Sequence, residues 1–191
     1  DSTYTVQNLE RLGVSAVVIE DKKGLKKNSL FGTDVKQEQD SIENFCEKIK
    51  VGINSKQTDE FMVIARIESL ILGKGIEDAL LRGRSYADSG ANGVLIHSKD
   101  KSEELVFQFV EDFKKDFDVP VIVVPTTYNH ITLDEFKKLG VDIVIYANHL
   151  LRSAYPAMLN TAEEILKFGR TQELEKKLMS VKEVINFIPT D

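Results

Sequence analysis

The sequence predicts an α/β fold on a parallel sheet, a (β/α)8 TIM-type barrel with about three N-terminal strands absent from the chain. Three observations predict it. Short Val- and Ile-rich runs alternate with amphipathic segments along the 191 residues, the pattern of right-handed strand–helix–strand crossovers. The runs are near-continuously apolar, as parallel strands covered on both faces are. Polar residues (Glu20, Arg66 with Glu68, His97, Thr126, Asn148) stand at or just after the ends of different runs. A barrel gathers such ends at one mouth, whereas an open sheet splays them along a line.

The elements follow in order. Residues 2–12 read as a helix, and Val14–Glu20 as the first strand. A second helix is expected over 38–51, then a strand at Phe61–Glu68 and a helix at 75–90. Gly93–His97, Pro120–Pro125 and Val141–Tyr146 read as the remaining strands, separated by helices at 102–117 and 132–139. A long helical stretch begins near 149, and its end, Glu173–Ile188, reads as an amphipathic packing helix. Gly13, Gly90 and Gly140 each stand between a helix and a strand, where a left-handed residue ends the last turn. Gly73-Lys74-Gly75 is too short for a phosphate loop and reads as the turn into a helix. Five strands cannot close a barrel, and residues 2–12 look like the helix after a missing strand. Residues 1–191 are therefore expected to be a single catalytic barrel domain, partial, with five strands and the C-terminal helices.

Composition excludes several function classes. The chain has 25 basic and 31 acidic residues, a formal charge of −6, and 42% hydrophobic residues. That balance fits a globular domain rather than a disordered or repetitive chain, and it argues against a general nucleic-acid binder. No apolar run reaches the roughly 18 residues that cross a bilayer. Cys46 is the one cysteine, so no internal disulfide can form, and no signal peptide is visible. A cytoplasmic setting is expected. Cys46 lies between Phe45 and Ile49 on a helix face and is expected to be buried. His130 and His149 have no partners at metal-ligand spacing.

The segment Val18–Leu30, VIEDKKGLKKNSL, carries the most chemistry. A strand ends in Glu20-Asp21, and a carboxylate at a barrel mouth can hold Mg²⁺ directly or through water. Lys22, Lys23, Lys26 and Lys27 fall within six residues, giving an acidic chain a local positive field suited to an anion. On composition alone a solvated basic loop fits slightly better than an anion site.

Glu20-Asp21-Lys22, five residues and Asn28-Ser29 resemble the EDK-x5-NS signature of phosphoenolpyruvate mutases, in the isocitrate lyase/phosphoenolpyruvate mutase superfamily. The resemblance extends along the chain through Ile64–Glu68 (IARIE), Ser89–Lys99 (SGANGVLIHSK), Val123–Tyr128 (VVPTTY) and Tyr146–Arg152 (YANHLLR). It implies a Mg²⁺-dependent isomerase of phosphonate biosynthesis that interconverts phosphoenolpyruvate and phosphonopyruvate. Glu20 would belong to the metal site, through water, with the other expected aspartates upstream of Asp1. Arg66 and His97 would hold the phosphoryl group. Asn28 would touch it as it migrates, Ser29 would bind substrate, and Lys26 would add charge compensation. Asp21 would orient the site or serve as a cap or salt bridge, and Glu68 would pair with Arg66. A homodimer or homotetramer is implied, with no membrane or nucleic-acid partner, and some relatives carry a nucleotidyltransferase domain after the barrel.

Departures from the family pattern keep other readings open. Leu25 stands where a proline is frequent and Gly24 where an aromatic is, and the chain has no Trp. A phosphonopyruvate hydrolase or another C–C or C–P lyase of the superfamily would use the same site. A non-catalytic relative that binds a small anion or serves as a scaffold is the alternative from another class. Asn28-Ser29 stands where an isocitrate-type lyase carries its cysteine, which counts against that branch.

Overall fold

The computed structural model describes residues 2–24 and 37–188. The chain divides into two compact units, Asp1–Tyr146 and Ala147–Asp191. The first holds helix α1 (Ser2–Arg11), strand β1 (Ala16–Glu20), α2 (Ile42–Ser55), β2 (Met62–Ile67), α3 (Gly75–Asp88), β3 (Gly93–Ile96), α4 (Glu104–Lys114), β4 (Val121–Val123), α5 (Leu133–Leu139) and β5 (Ile143–Val144). The second holds α6 (His149–Phe168) and α7 (Val181–Ile185).

All five strands are parallel and lie in the order of the sequence, β1-β2-β3-β4-β5. A doubly wound sheet reverses its order at a switch point; this one does not. With every crossover of the same hand and the order never reversed, α2 to α5 must all cover one face, and α1 packs on that face through Val6 against Val63. Side-chain alternation agrees. Ala65, Ile67, Val94, Ile96, Val121 and Val123 join a buried cluster with Phe45, Ile49, Tyr86, Phe109 and Phe136 of the helices. The alternate residues Ile64, Leu95, Ile122 and Val124 form a separate cluster with Ala16, Met62 and Ile145, and no helical residue enters it. The sheet is thus an arc with a helix-covered outer face and an inner face lined by its own strands, the wall of a (β/α)8 barrel.

Local chemistry sets the boundaries. Gly13, Gly90 and Gly140 have φ of 76°, 93° and 98°, the left-handed backbone that the helix ends require. α5 opens on a full capping box, Thr132 to the Glu135 amide and Glu135 back to Thr132. α2 begins four residues later than residues 38–51 predict. Ser41 caps it by accepting from the Asn44 amide, while Gln39 is drawn into an antiparallel bridge with Lys22. α7 covers only five residues of the expected Glu173–Ile188 helix, because Ser180 and Glu183 form a new capping box inside that stretch. Cys46 is half-buried, its thiol 3.5 Å from the Ser85 carbonyl.

Candidate active site

Strand parity decides which polar residues face the barrel interior. Glu20 and Arg66 are register partners on β1 and β2, and His97 directly follows β3. All three share the parity of the inner cluster, Ile64 and Leu95. Asp21, one residue on from Glu20, has the opposite parity and points among the helices.

The inner residues form one tight group. Arg66 Nε donates to Glu68 Oε1 at 2.6 Å, and Lys22 Nζ lies 3.1 Å from Glu68 Oε2. The Glu68 side chain is 0% exposed, so each of its oxygens faces a cation. Glu20 Oε2 lies 3.9 Å from both Lys22 Nζ and Arg66 Nε, and it stays partly open. Arg66 Nη2 is 3.2 Å from His97 Nδ1. Guanidinium has no acceptor, so Nδ1 must accept and the ring proton sits on Nε2. At 3.8 Å from Glu68, a protonated His97 could join the ion pairs. Burial, then the charges of Arg66 and Lys22, push its pKa down to about 4, so the ring is neutral at pH 7.

The charges of Lys22 and Arg66 cancel those of Glu20 and Glu68, so these side chains alone carry no net charge. A cavity of about 360 Å³ opens beside them, lined in part by Val18, Glu20, Lys22 and Arg66. Among the described residues no group of three or more His, Cys, Asp or Glu could hold a metal. Glu20 fits one edge of an oxygen-ligated Mg²⁺ site, through water, because Arg66 and Lys22 leave its carboxylate only loosely paired.

Asp21 has a different setting from Glu20. It is fully buried and accepts from Gln39 Nε2 at 2.7 Å, Tyr86 OH at 2.7 Å, Arg82 Nη1 at 3.3 Å and the Glu68 amide at 3.0 Å. Three of these donors meet Oδ2 and one meets Oδ1, and the carboxylate has no exposed surface to offer a ligand. The capping and salt-bridging role is the one its surroundings allow. Burial raises its pKa, against the pull of these donors.

Lys26, Asn28 and Ser29 lie outside the described residues. Lys22, read in the sequence as one of four loop lysines and as part of the Glu20-Asp21-Lys22 signature, is buried against Glu68; the period-2 continuation of β1 from Glu20 is the signal that reveals it. Thr127 Oγ1 reaches the Ser98 carbonyl at 3.2 Å, joining the ends of β3 and β4. His130 pairs with Glu103 at 3.0 Å on the exposed surface.

A parallel (β/α) wall with an arginine, a neutral histidine and a carboxylate at its C-terminal mouth defines an α/β-barrel protein with an anion-sized polar pocket. The chain belongs to the phosphoenolpyruvate phosphomutase family, whose model matches residues 1–166. It is similar to the crystal structure of phosphoenolpyruvate phosphomutase from Streptomyces platensis subsp. rosaceus, with a TM-score of 0.91 and 40% identity over 96% of this chain and 63% of that one. It is 39% identical to the phosphonopyruvate hydrolase of Variovorax sp., over 95% of this chain and 62% of that protein. A crystal structure of phosphonopyruvate hydrolase in complex with oxalate and Mg²⁺ superposes with a TM-score of 0.85 at 36% identity, over 96% of this chain and 62% of that one. The chain spans about three fifths of the length of the curated relatives it matches. Among the described residues no helix is long and apolar enough to cross a membrane.

Proposed function

We propose that the protein is a Mg²⁺-dependent phosphoenolpyruvate mutase that interconverts phosphoenolpyruvate and phosphonopyruvate. The observation that carries this reading is the Arg66–His97 contact at the barrel mouth: a fork of cationic donors beside a neutral imidazole whose ring proton is on Nε2. Together they can grip two or three phosphoryl oxygens without presenting a nucleophile. In the forward direction the enol O–P bond breaks and a C–P bond forms at C3 of the same pyruvyl unit. No proton is gained or lost overall. Such a transfer requires positioning and charge stabilisation above all. Glu20 would hold Mg²⁺ through water, and the ion would supply charge for the pyruvyl oxygens. With the ion bound, the neutral cluster of Lys22, Arg66, Glu20 and Glu68 would become cationic, matched to a polyanionic substrate. Arg66 and His97 retain the phosphoryl group while it changes partner. Lys26, Asn28 and Ser29 are assigned to the same task by the family motif alone.

The second reading is phosphonopyruvate hydrolase, supported by a hydrolase relative that is 39% identical to this chain, the same identity as a phosphoenolpyruvate phosphomutase relative. There water attacks phosphorus, the C–P bond breaks, and C3 takes up a proton to give pyruvate. The phosphorus NMR spectrum of phosphonopyruvate incubated with the protein and Mg²⁺ separates the two. Phosphoenolpyruvate is the expected product; inorganic phosphate as the only product overturns the mutase reading in favour of the hydrolase. We further assign the protein to the cytoplasm and to a homodimer or homotetramer. The exposed apolar side chains of α6, among them Leu150, Leu151, Tyr155 and Leu166, support self-association.

A further inference from the structure

We propose that Arg82, on the helix side of the sheet, is a positioning residue that sets the aim of Arg66 through Asp21 and Glu68. The side chain of Arg82 is buried on α3 and has no access to the inner face. Its Nε donates to Asp78 Oδ2 at 3.0 Å, and its Nη1 reaches Asp21 Oδ2 at 3.3 Å, the Asp40 carbonyl at 2.9 Å and Tyr86 OH at 2.9 Å. The Tyr86 hydroxyl in turn donates to Asp21 Oδ2 at 2.7 Å. Ser69 Oγ, next to Glu68, donates to Asp78 at 2.6 Å and accepts from Gln39 at 3.1 Å. The turn after β2 is therefore held from two sides by groups that Arg82 organises.

The link to the inner face runs through one residue. Asp21 Oδ1 accepts the Glu68 amide at 3.0 Å, and the Asp21 amide donates to the Arg66 carbonyl at 3.1 Å. Asp21 thereby fixes the backbone of both residues whose side chains meet at 2.6 Å on the other face. Arg66 in turn contacts His97. A continuous chain of polar contacts, Arg82–Asp21–Glu68–Arg66–His97, crosses the sheet from helix to mouth. Cross-linking a β1 end to a β2 turn needs a carboxylate, and a carboxylate buried among helices needs a cation; Arg82 is the cation the sequence supplies there.

The proposal rests on the mouth being the anion site. Its test compares Arg82→Met, Arg82→Lys and the milder Tyr86→Phe with the wild-type protein, well below their melting temperatures. Arg82→Met should raise the KM for phosphonopyruvate about tenfold with a smaller fall in kcat, as sub-ångström misplacement of a binding group does. Arg82→Lys should restore part of the loss, and Tyr86→Phe should produce a few-fold effect of the same sign. In the ligand-free protein the ¹⁵N resonances of the His97 ring should move in the same order, because its Nδ1 acceptor contact is with Arg66. Lower melting temperatures with wild-type His97 resonances in every folded variant would overturn the proposal and leave Arg82 a purely structural residue. If the wild-type protein neither turns over phosphonopyruvate nor binds oxalate, the functional reading fails, yet the His97 resonances still decide the positioning claim.

Discussion

Arg66 Nη2 and His97 Nδ1 stand 3.2 Å apart at the ends of adjacent strands, with the arginine as donor and the imidazole as acceptor. The contact determines the histidine's tautomer and puts the ring proton on Nε2, while burial first, then the charges of Arg66 and Lys22, keep the ring neutral. Glu68 anchors the arginine from behind, so both groups are aimed before any ligand arrives.

Arg66→Lys should keep the fold but weaken phosphonopyruvate binding by one to two orders of magnitude, about 1.5–3 kcal/mol, since a point charge replaces a planar fork. Arg66→Ala should also destabilise the protein by about 3 kcal/mol, because Glu68 then stays buried with half of its counter-charge removed. Ligand titration and urea unfolding of both variants check the two effects separately.

The depressed pKa of His97 makes stability depend on pH with a definite sign. Between the unfolded value near 6.5 and the folded value of about 4, the unfolded chain binds more protons. The contribution is complete above pH 6.5 and is lost as pH falls towards 4. It amounts to about 3 kcal/mol at most. Urea unfolding at pH 7.5 and pH 4.5 should show this loss in the wild type and a smaller one in His97→Gln.

Glu20→Gln should have two effects of opposite sign. Affinity for Mg²⁺ should fall about tenfold or more, as it does when a group orienting a metal's water is lost. Metal-free binding of oxalate should tighten, because removing one carboxylate leaves the mouth with net positive charge. Titrations with and without Mg²⁺ read both, and a parallel change in the two would contradict the assignment.

Gly83 marks a close helix contact. A Cβ there would stand 3.0 Å from Phe109 Cζ and 3.2 Å from Cε2, and Phe109 is itself stacked on Phe113 at 5.5 Å. Gly83→Ala gains about 1 kcal/mol of helix propensity but overpacks the core at about 1–3 kcal/mol. Stability should fall by the difference, up to about 2 kcal/mol, read as a lower urea midpoint at an unchanged m-value.

Much of this architecture is legible in the residues themselves. The five strands announce themselves because buried parallel strands are apolar on both faces, and Gly13, Gly90 and Gly140 mark the helix ends because only glycine is at ease there. The grouping of Glu20, Arg66 and His97 follows from their positions at strand ends. What the one-dimensional pattern hides is partnership. Nothing adjacent to Asp21 in sequence distinguishes it from Glu20; its donors come from residues 39, 68, 82 and 86, which only the fold assembles. Lys22 reads as a solvated loop lysine until β1 and β2 align it with Glu68. The start of α2 is misread because apolar spacing does not register that Gln39 has a stronger claim elsewhere.

The central claim is that Arg66 and His97 hold the phosphoryl group as one unit. A double-mutant cycle of Arg66→Lys and His97→Gln on phosphonopyruvate affinity tests it directly. A shared role predicts that the double variant loses less than the two single losses combined, with a coupling above about 0.5 kcal/mol. Losses that add to within about 0.3 kcal/mol would contradict it.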